Sequence, residues 1–147
     1  MKQLSLVLML IVLHACNNSQ HDTPEQQIRK VLSSIEQGIE ERSLSQVIDH
    51  IDDDYKDHHG RIKQDIKRYV QLQILRNQNI TVFTRIKSIE IEDIYASVEL
   101  SAATAARGVD LNIEANRLKA DSHKASIVFK NNSEGWQITS SSWQRGW

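Results

Sequence analysis

The residues able to do chemistry crowd into one short stretch: His50, Asp52, Asp53, Asp54, Tyr55, Asp57, His58 and His59, closed by Gly60. Carboxylates among imidazoles are the donors of divalent-metal sites and the groups that move protons in acid–base catalysis. The spacing argues against a metal. A calcium loop needs its glycine earlier and a glutamate soon after it, whereas Gly60 falls late and no Glu follows at that distance. The paired helical histidines of zinc hydrolases are also missing. No metal or other cofactor is expected, and the stretch reads on its residues as a solvated acidic loop.

The elements around this loop are legible from periodicity. Thr23-Pro24-Glu25-Gln26 starts a helix, with Thr23 as cap, Pro24 in the first turn and Gln26 closing a capping box. Ile28, Val31, Leu32, Ile35 and Ile39 follow as one apolar stripe. Ser43 with Gln46 repeats the box, ahead of Leu44, Val47, Ile48 and Ile51 on a shorter helix that folds back as a hairpin. A third helix is expected over residues 61–76, with Ile62, Ile66, Tyr69, Val70 and Ile74 inward and Lys63, Lys67 and Arg68 on a solvated face.

After Asn77 the period turns from helical to alternating. Ile80, Val82 and Ile86 share a face, but Ile89 and Ile91 have the opposite parity, which predicts a bulge at Lys87-Ser88. Ala96, Val98, Leu100 and Ala102 alternate on a second strand. Neither period holds over residues 105–120, where Leu111, Ala115 and Leu118 point to a helical turn in a long connection. His123, Ala125, Ile127 and Phe129 alternate again, 131–135 is a turn, and Trp136 and Ile138 open the last strand.

Three helices followed by a long bulged sheet, with Asp54-Tyr55-Lys56-Asp57 ahead of the third helix and Gly135-Trp136-Gln137-Ile138-Thr139 near the end, resemble the nuclear transport factor 2 and ketosteroid isomerase superfamily. Residues 79–86 and 142–145 resemble more narrowly its small bacterial lipoproteins of unestablished role. The resemblance covers 24–143. It implies an α+β fold, with three N-terminal helices packed in a strongly curved, bulged antiparallel sheet that forms a cone-like α+β barrel. It also implies a cone pocket, lined here by Val70, Ile74, Val98, Leu100, Ala102, Ile127 and Phe129, for a small, mostly apolar ligand. In enzymes of the superfamily the cone holds an acid or base and a hydrogen-bond donor. Carried over, Asp57 is the weak candidate base, Tyr55 or Tyr69 the donor, and His123 a further candidate. Lys56 and the two histidines beside Asp57 would lower its pKa, the wrong direction for a base at neutral pH.

The first sixteen residues have Lys2, an apolar run from Leu4 to Leu13, and Leu13-His14-Ala15-Cys16. The run is about half the length of a membrane span, so it reads as a secretion signal. Its end resembles a bacterial lipobox, which implies cleavage after Ala15 and acylation of Cys16, the only cysteine. His14 stands where lipoboxes carry a small or apolar residue. An ordinary thiol behind a signal cut at the same place, and an uncut anchor, therefore remain as alternatives. The expected organisation is a signal peptide over 1–15, a lipid-anchored tether over 16–22 and one domain over 23–147. Asn17 in place of Asp implies, by the same resemblance, the periplasmic face of the outer membrane.

Composition bounds the partners. The chain has 18 Lys and Arg against 19 Asp and Glu, and a cut after Ala15 removes Lys2, leaving a formal net of minus two. Such a balance predicts neither a nucleic-acid partner nor a polybasic membrane patch. Asn17, Asn79 and Asn131 begin glycosylation-like triplets that are chance matches in a bacterial chain. Trp136 is expected in the core, whereas Trp143 and Trp147 follow a polar Ser140-Ser141-Ser142 run and fit either tail packing or a homodimer through the sheet face. The reading is a lipid-anchored envelope module that binds a small apolar molecule or a protein partner. An isomerase, dehydratase or cyclase using Asp57 and Tyr55 is the alternative, and a ligand-free structural lipoprotein is the third.

Overall fold

The computed structural model describes residues 22–108 and 118–145. The leader, Cys16, nearly all of the tether and Trp147 lie outside them. Helix α1 (Pro24–Glu40) begins as its sequence requires: the Gln26 N–H donates to Thr23 Oγ1 at 3.2 Å and the Thr23 N–H to Gln26 Oε1 at 2.8 Å. Its stripe buries Ile28 and Leu32. Helix α2 (Leu44–Ile48) is shorter than its spacing implies, and the second capping box does not form. Gln46 instead donates to the Ser34 carbonyl of α1 at 3.1 Å, and Ile51 leaves the helix to bridge Ile138. The hairpin closes tightly because position 38 is glycine. A Cβ there would stand 3.0 Å from Val47 Cγ2 and 3.2 Å from Gln46 Cβ.

Helix α3 (Lys63–Arg76) starts where Asp65 accepts the Ile62 N–H at 3.1 Å. Two expectations fail on it. Ile62 precedes the first turn and is exposed, and Tyr69 is 57% exposed. The inward line runs through Ile66, Val70 and Ile74, and Tyr69, one residue before Val70, is turned about 100° away.

Strands β1 (Asn77–Glu92), β2 (Tyr95–Gly108), β3 (Leu118–Asn132) and β4 (Gly135–Arg145) pair in sequential order as one curved, unclosed antiparallel sheet. The fold is α+β, as expected. The register of β1 shifts between Ile86 and Ser88, so Lys87 is the bulge and Ile86 and Ile89, one from each parity, both pack against the core, while Ile91 near the strand end is exposed. The connection after β2 is shorter than its sequence implied. Arg107 pairs with Leu118, so residues 105–108 and 118–120 belong to strands. The alanine-rich end of β2 shows no hydropathy alternation and is held by its neighbour's backbone. The helical turn expected at Leu111 and Ala115 lies outside the described residues.

The core fills the concave face. Ile28 and Leu32 of α1 and Ile48 of α2 pack on Ala96, Val98, Leu100, Ile127, Phe129, Trp136 and Ile138. Both sheet edges are managed. On β1, the Val82 N–H donates to Glu40 of α1 at 2.9 Å. Along β4, the Ile138 N–H donates to the His50 carbonyl, while the Asp52 and Lys56 N–H groups donate to the carbonyls of Ile138 and Thr139, at 2.9 to 3.0 Å.

Candidate functional site

Those edge bonds define what the acidic stretch does. Residues 50–56 run beside β4, joined to it by an isolated parallel bridge from Ile51 to Ile138 and by the Lys56 N–H, with a turn at Asp53-Asp54 between, and the paired carboxylates bind the stretch to its own turns and to α3. Asp52 accepts from the Asp54 N–H at 2.9 Å and from Asn132 Nδ2 at 3.3 Å. Asp53 pairs with Lys63 at 2.8 Å, and that bonded ammonium holds its carboxyl below the usual range. Asp57, with a fully buried side chain, accepts at Oδ1 from the His59 and Arg61 N–H groups at 2.9 Å and at Oδ2 from Arg61 Nε at 2.5 Å. Burial pushes this carboxyl up, but the Arg61 and His59 donors outweigh it and leave the pKa lowered. Both oxygens are engaged, and the direction is opposite to what a general base requires. Among the described residues no group of three His, Cys, Asp or Glu is placed to hold a metal.

Tyr55 is buried, and its hydroxyl shares a 2.7 Å hydrogen bond with Ser141 Oγ of β4. Burial raises its pKa. Trp143 Nε1 donates to the same Ser141 Oγ at 3.0 Å. Tyr55 thereby leads into a second cluster, which the sheet register builds.

Residues opposite one another across antiparallel strands share a face. The concave face can therefore be followed row by row. Ile89, Val98, Ile127 and Ser141 form one row; Ile86, Leu100, Ala125 and Trp143 the next; Thr84, Ala102, His123 and Arg145 the one after. The first two rows are apolar apart from Ser141, and the third is polar on both sides of a single alanine. Thr84 Oγ1 donates to Glu36 of α1. His123 sits edge-on to Trp143, ring centroids 6.4 Å apart, with Nε2 3.6 Å from Asp121 Oδ2. Strand spacing puts Thr84 and His123 about 10 Å apart, with Ala102 as the floor between them. Trp143, although on the inner face, is 41% exposed.

This mouth of the cone collects Trp143, His123, Arg145, Thr84 and Glu36, with Tyr55 reaching it through Ser141. Of the residues singled out by sequence, Tyr55 and His123 come to it; Asp57 is tied into its own turn and Tyr69 points to solvent. Most of the expected pocket lining is filled core. Val98, Leu100, Ala102, Ile127 and Phe129 are all buried in one cluster with Ile28 and Leu32 of α1, Ile48, Ile51 and Tyr55. Val70 and Ile74 are half-buried on α3. Glu36, Thr84 and Ser141 were not anticipated. Glu36 alone left a signal, as a carboxylate four residues after Leu32 and three before Ile39, on the edge of the apolar stripe.

No protein-family model and no curated protein matches the sequence. Solved structures do match. A nuclear transport factor 2-like superfamily protein from Salmonella enterica superposes with a TM-score of 0.70 at 12% identity, over 84% of this chain and 92% of that one. A protein described as a candidate dehydratase of the same family, from Streptomyces avermitilis, gives 0.73 at 15% identity, over 86% and 99%. A hexachlorocyclohexane dehydrochlorinase gives 0.65 at 10% identity, over 84% and 85%. At such identities the likeness is one of fold: this chain has the nuclear transport factor 2-like fold, and its chemistry must be argued from its own residues.

Proposed function

We propose that this protein is a lipid-anchored envelope module that binds a small ligand, largely apolar with one polar end, at the mouth of its cone. The observation that carries the reading is the change of character along the concave face. Apolar rows end at a row holding Thr84, His123 and Arg145, and beside it the inner-face Trp143 keeps 41% of its surface open. A large aromatic left partly uncovered on a concave face, next to a few converging polar groups, is the usual make-up of a ligand site. The ligand's apolar body would lie on Trp143, with its polar end toward His123 and Arg145.

Anchoring rests on the leader, with Cys16 acylated and the domain held at the periplasmic face of the outer membrane. Two or more acyl chains suffice for stable attachment where one does not. Mass spectrometry of the mature chain tests this half: a diacylglyceryl mass on Cys16, and release of Cys16→Ala from membranes, are expected. An unmodified thiol on Cys16 contradicts it. The ligand half is tested by organic extraction of protein purified from its own envelope. A small molecule recovered from wild type and lost from Trp143→Ala is expected; identical extracts contradict it.

The enzymatic reading, an isomerase, dehydratase or cyclase, is weaker on this geometry. Asp57 has no free, basic oxygen to offer, so a proton-transfer role would pass to His123 with Tyr55 at second remove through Ser141 and Trp143.

A further inference from the structure

One end of the sheet leaves large apolar side chains uncovered. The β1–β2 hairpin turns through Asp93 and Ile94, and Ile91, Ile94 and Tyr95 are all exposed there. Such turns are ordinarily built from small polar residues. Asp93 supplies a positive φ of 56°, but Ile94 fills the next position with a branched hydrocarbon. The register spreads the apolar surface around the tip. Ile91 pairs with Ala96 and so belongs to the concave face, Tyr95 pairs with Glu92 on the convex one, and Ile94 stands at the apex. The tip is also held in place, since the Ile94 carbonyl accepts the Asn131 N–H of β3 at 2.7 Å.

The start of the domain lies at this same end. Gln27 and Lys30, in the first turns of α1, line one cleft with Gly135 and Trp136 of β4. Asn131, bonded to the tip, pairs with that Trp136. Cys16 is six residues before Asp22, a stretch that reaches at most about 22 Å when fully extended. Strand β2, with 14 residues, is about 45 Å long. Acylation of Cys16 would therefore keep the tip end beside the bilayer, with the far end, where Arg107 pairs with Leu118, away from it. Charge narrows the kind of surface. Glu90, Glu92 and Asp93 flank the apolar side chains and Glu134 lies on the next turn, against Lys130, while Arg29 and Lys30 are paired with Glu25 and Asp22. Such an acidic end is repelled by anionic lipid and tolerated by zwitterionic headgroups.

We infer that the β1–β2 tip is a membrane-docking surface, by which the domain rests on a zwitterionic face of the bilayer that anchors it. The inference builds on the lipid-anchored half of the proposed function. Ile94 enters the headgroup boundary with Ile91 and Tyr95 on either side, the tyrosine hydroxyl staying at the wet level. Three side chains bind weakly alone, and the tether makes them sufficient by holding them at a roughly millimolar effective concentration. Docking also turns the Trp143 end of the sheet away from the membrane, about 26 Å along β4 from Gly135.

The test uses the acylated full chain in phosphatidylcholine vesicles, where Cys16 is blocked and an introduced cysteine is the sole thiol. Ile94→Cys and, as the control, Phe83→Cys at an exposed position about 30 Å up β1 are each labelled with the same fluorophore and quenched by doxyl-bearing lipid. The label at position 94 is expected to be quenched about twofold more than the one at 83, or better, and adding Ile91→Asn and Tyr95→Asn should shrink that difference. Protein that floats with the vesicles yet is quenched equally at both positions overturns the docking surface and leaves the anchor standing. A free Cys16 thiol in the mass spectrum, with no flotation, overturns both.

Discussion

At the scale of single residues, the acidic stretch shows how proximity in sequence differs from chemistry in space. Asp57 looks like a base among imidazoles, yet its oxygens are spent on Arg61 and the backbone of its own turn. Its lowered pKa means that the folded state holds the charged form more firmly than the unfolded chain does. The resulting stability is present above the ordinary aspartate value of 3.8 and is lost as pH falls through the lower folded value. Asp57→Asn should therefore destabilise the domain at neutral pH and flatten the acid limb of its stability curve, as urea midpoints across pH would report. An unchanged acid limb would contradict the assignment. Tyr55 is a packing residue with one buried hydrogen bond, to Ser141. Tyr55→Phe should cost about 1 kcal/mol in urea unfolding, since Ser141 Oγ keeps its bond from Trp143.

At the scale of elements, what was legible in the sequence was whatever local pattern enforces. The Thr23–Gln26 capping box, the α1 stripe and the β1 bulge at Lys87 were all readable, because caps, helical stripes and parity breaks leave their marks within a few residues. The strand ends at 105–108 and 118–120 were not, since their alanines carry no alternation and only the neighbouring strand makes them extended. The short α2 escaped for a similar reason: Ile51 keeps helical spacing but is claimed by Ile138 of β4. The mouth of the cone was least legible, because Thr84, Ala102, His123 and Arg145 form a row only through the register of four strands. Gly38 permits the close α1–α2 hairpin, and its replacement tests that contact. Gly38→Val places carbon where Val47 and Gln46 already stand at 3.0 and 3.2 Å, and should destabilise by about 1–3 kcal/mol despite removing a helix-interior glycine. Calorimetry should show a lowered Tm; a raised one would mean that α2 moves away freely.

At the scale of the whole molecule, the concave surface changes character along the strands. The half under α1 and α2 is packed by Ile28, Leu32, Val98, Phe129 and Ile138 and holds the domain together. The other half ends in the row that carries His123 and Arg145, with Trp143 only partly covered, and it is there that the proposed function puts a ligand. A structure that needed only to fold would gain by burying that tryptophan. Native mass spectrometry of the protein, purified gently from its own host and compared with Trp143→Ala, tests the proposed ligand site most directly, because one spectrum reports bound mass and subunit number together. The account predicts one small molecule per chain on the wild type and none on the variant, with both folded. A wild-type spectrum at the bare protein mass, or the same bound mass on Trp143→Ala, would contradict it.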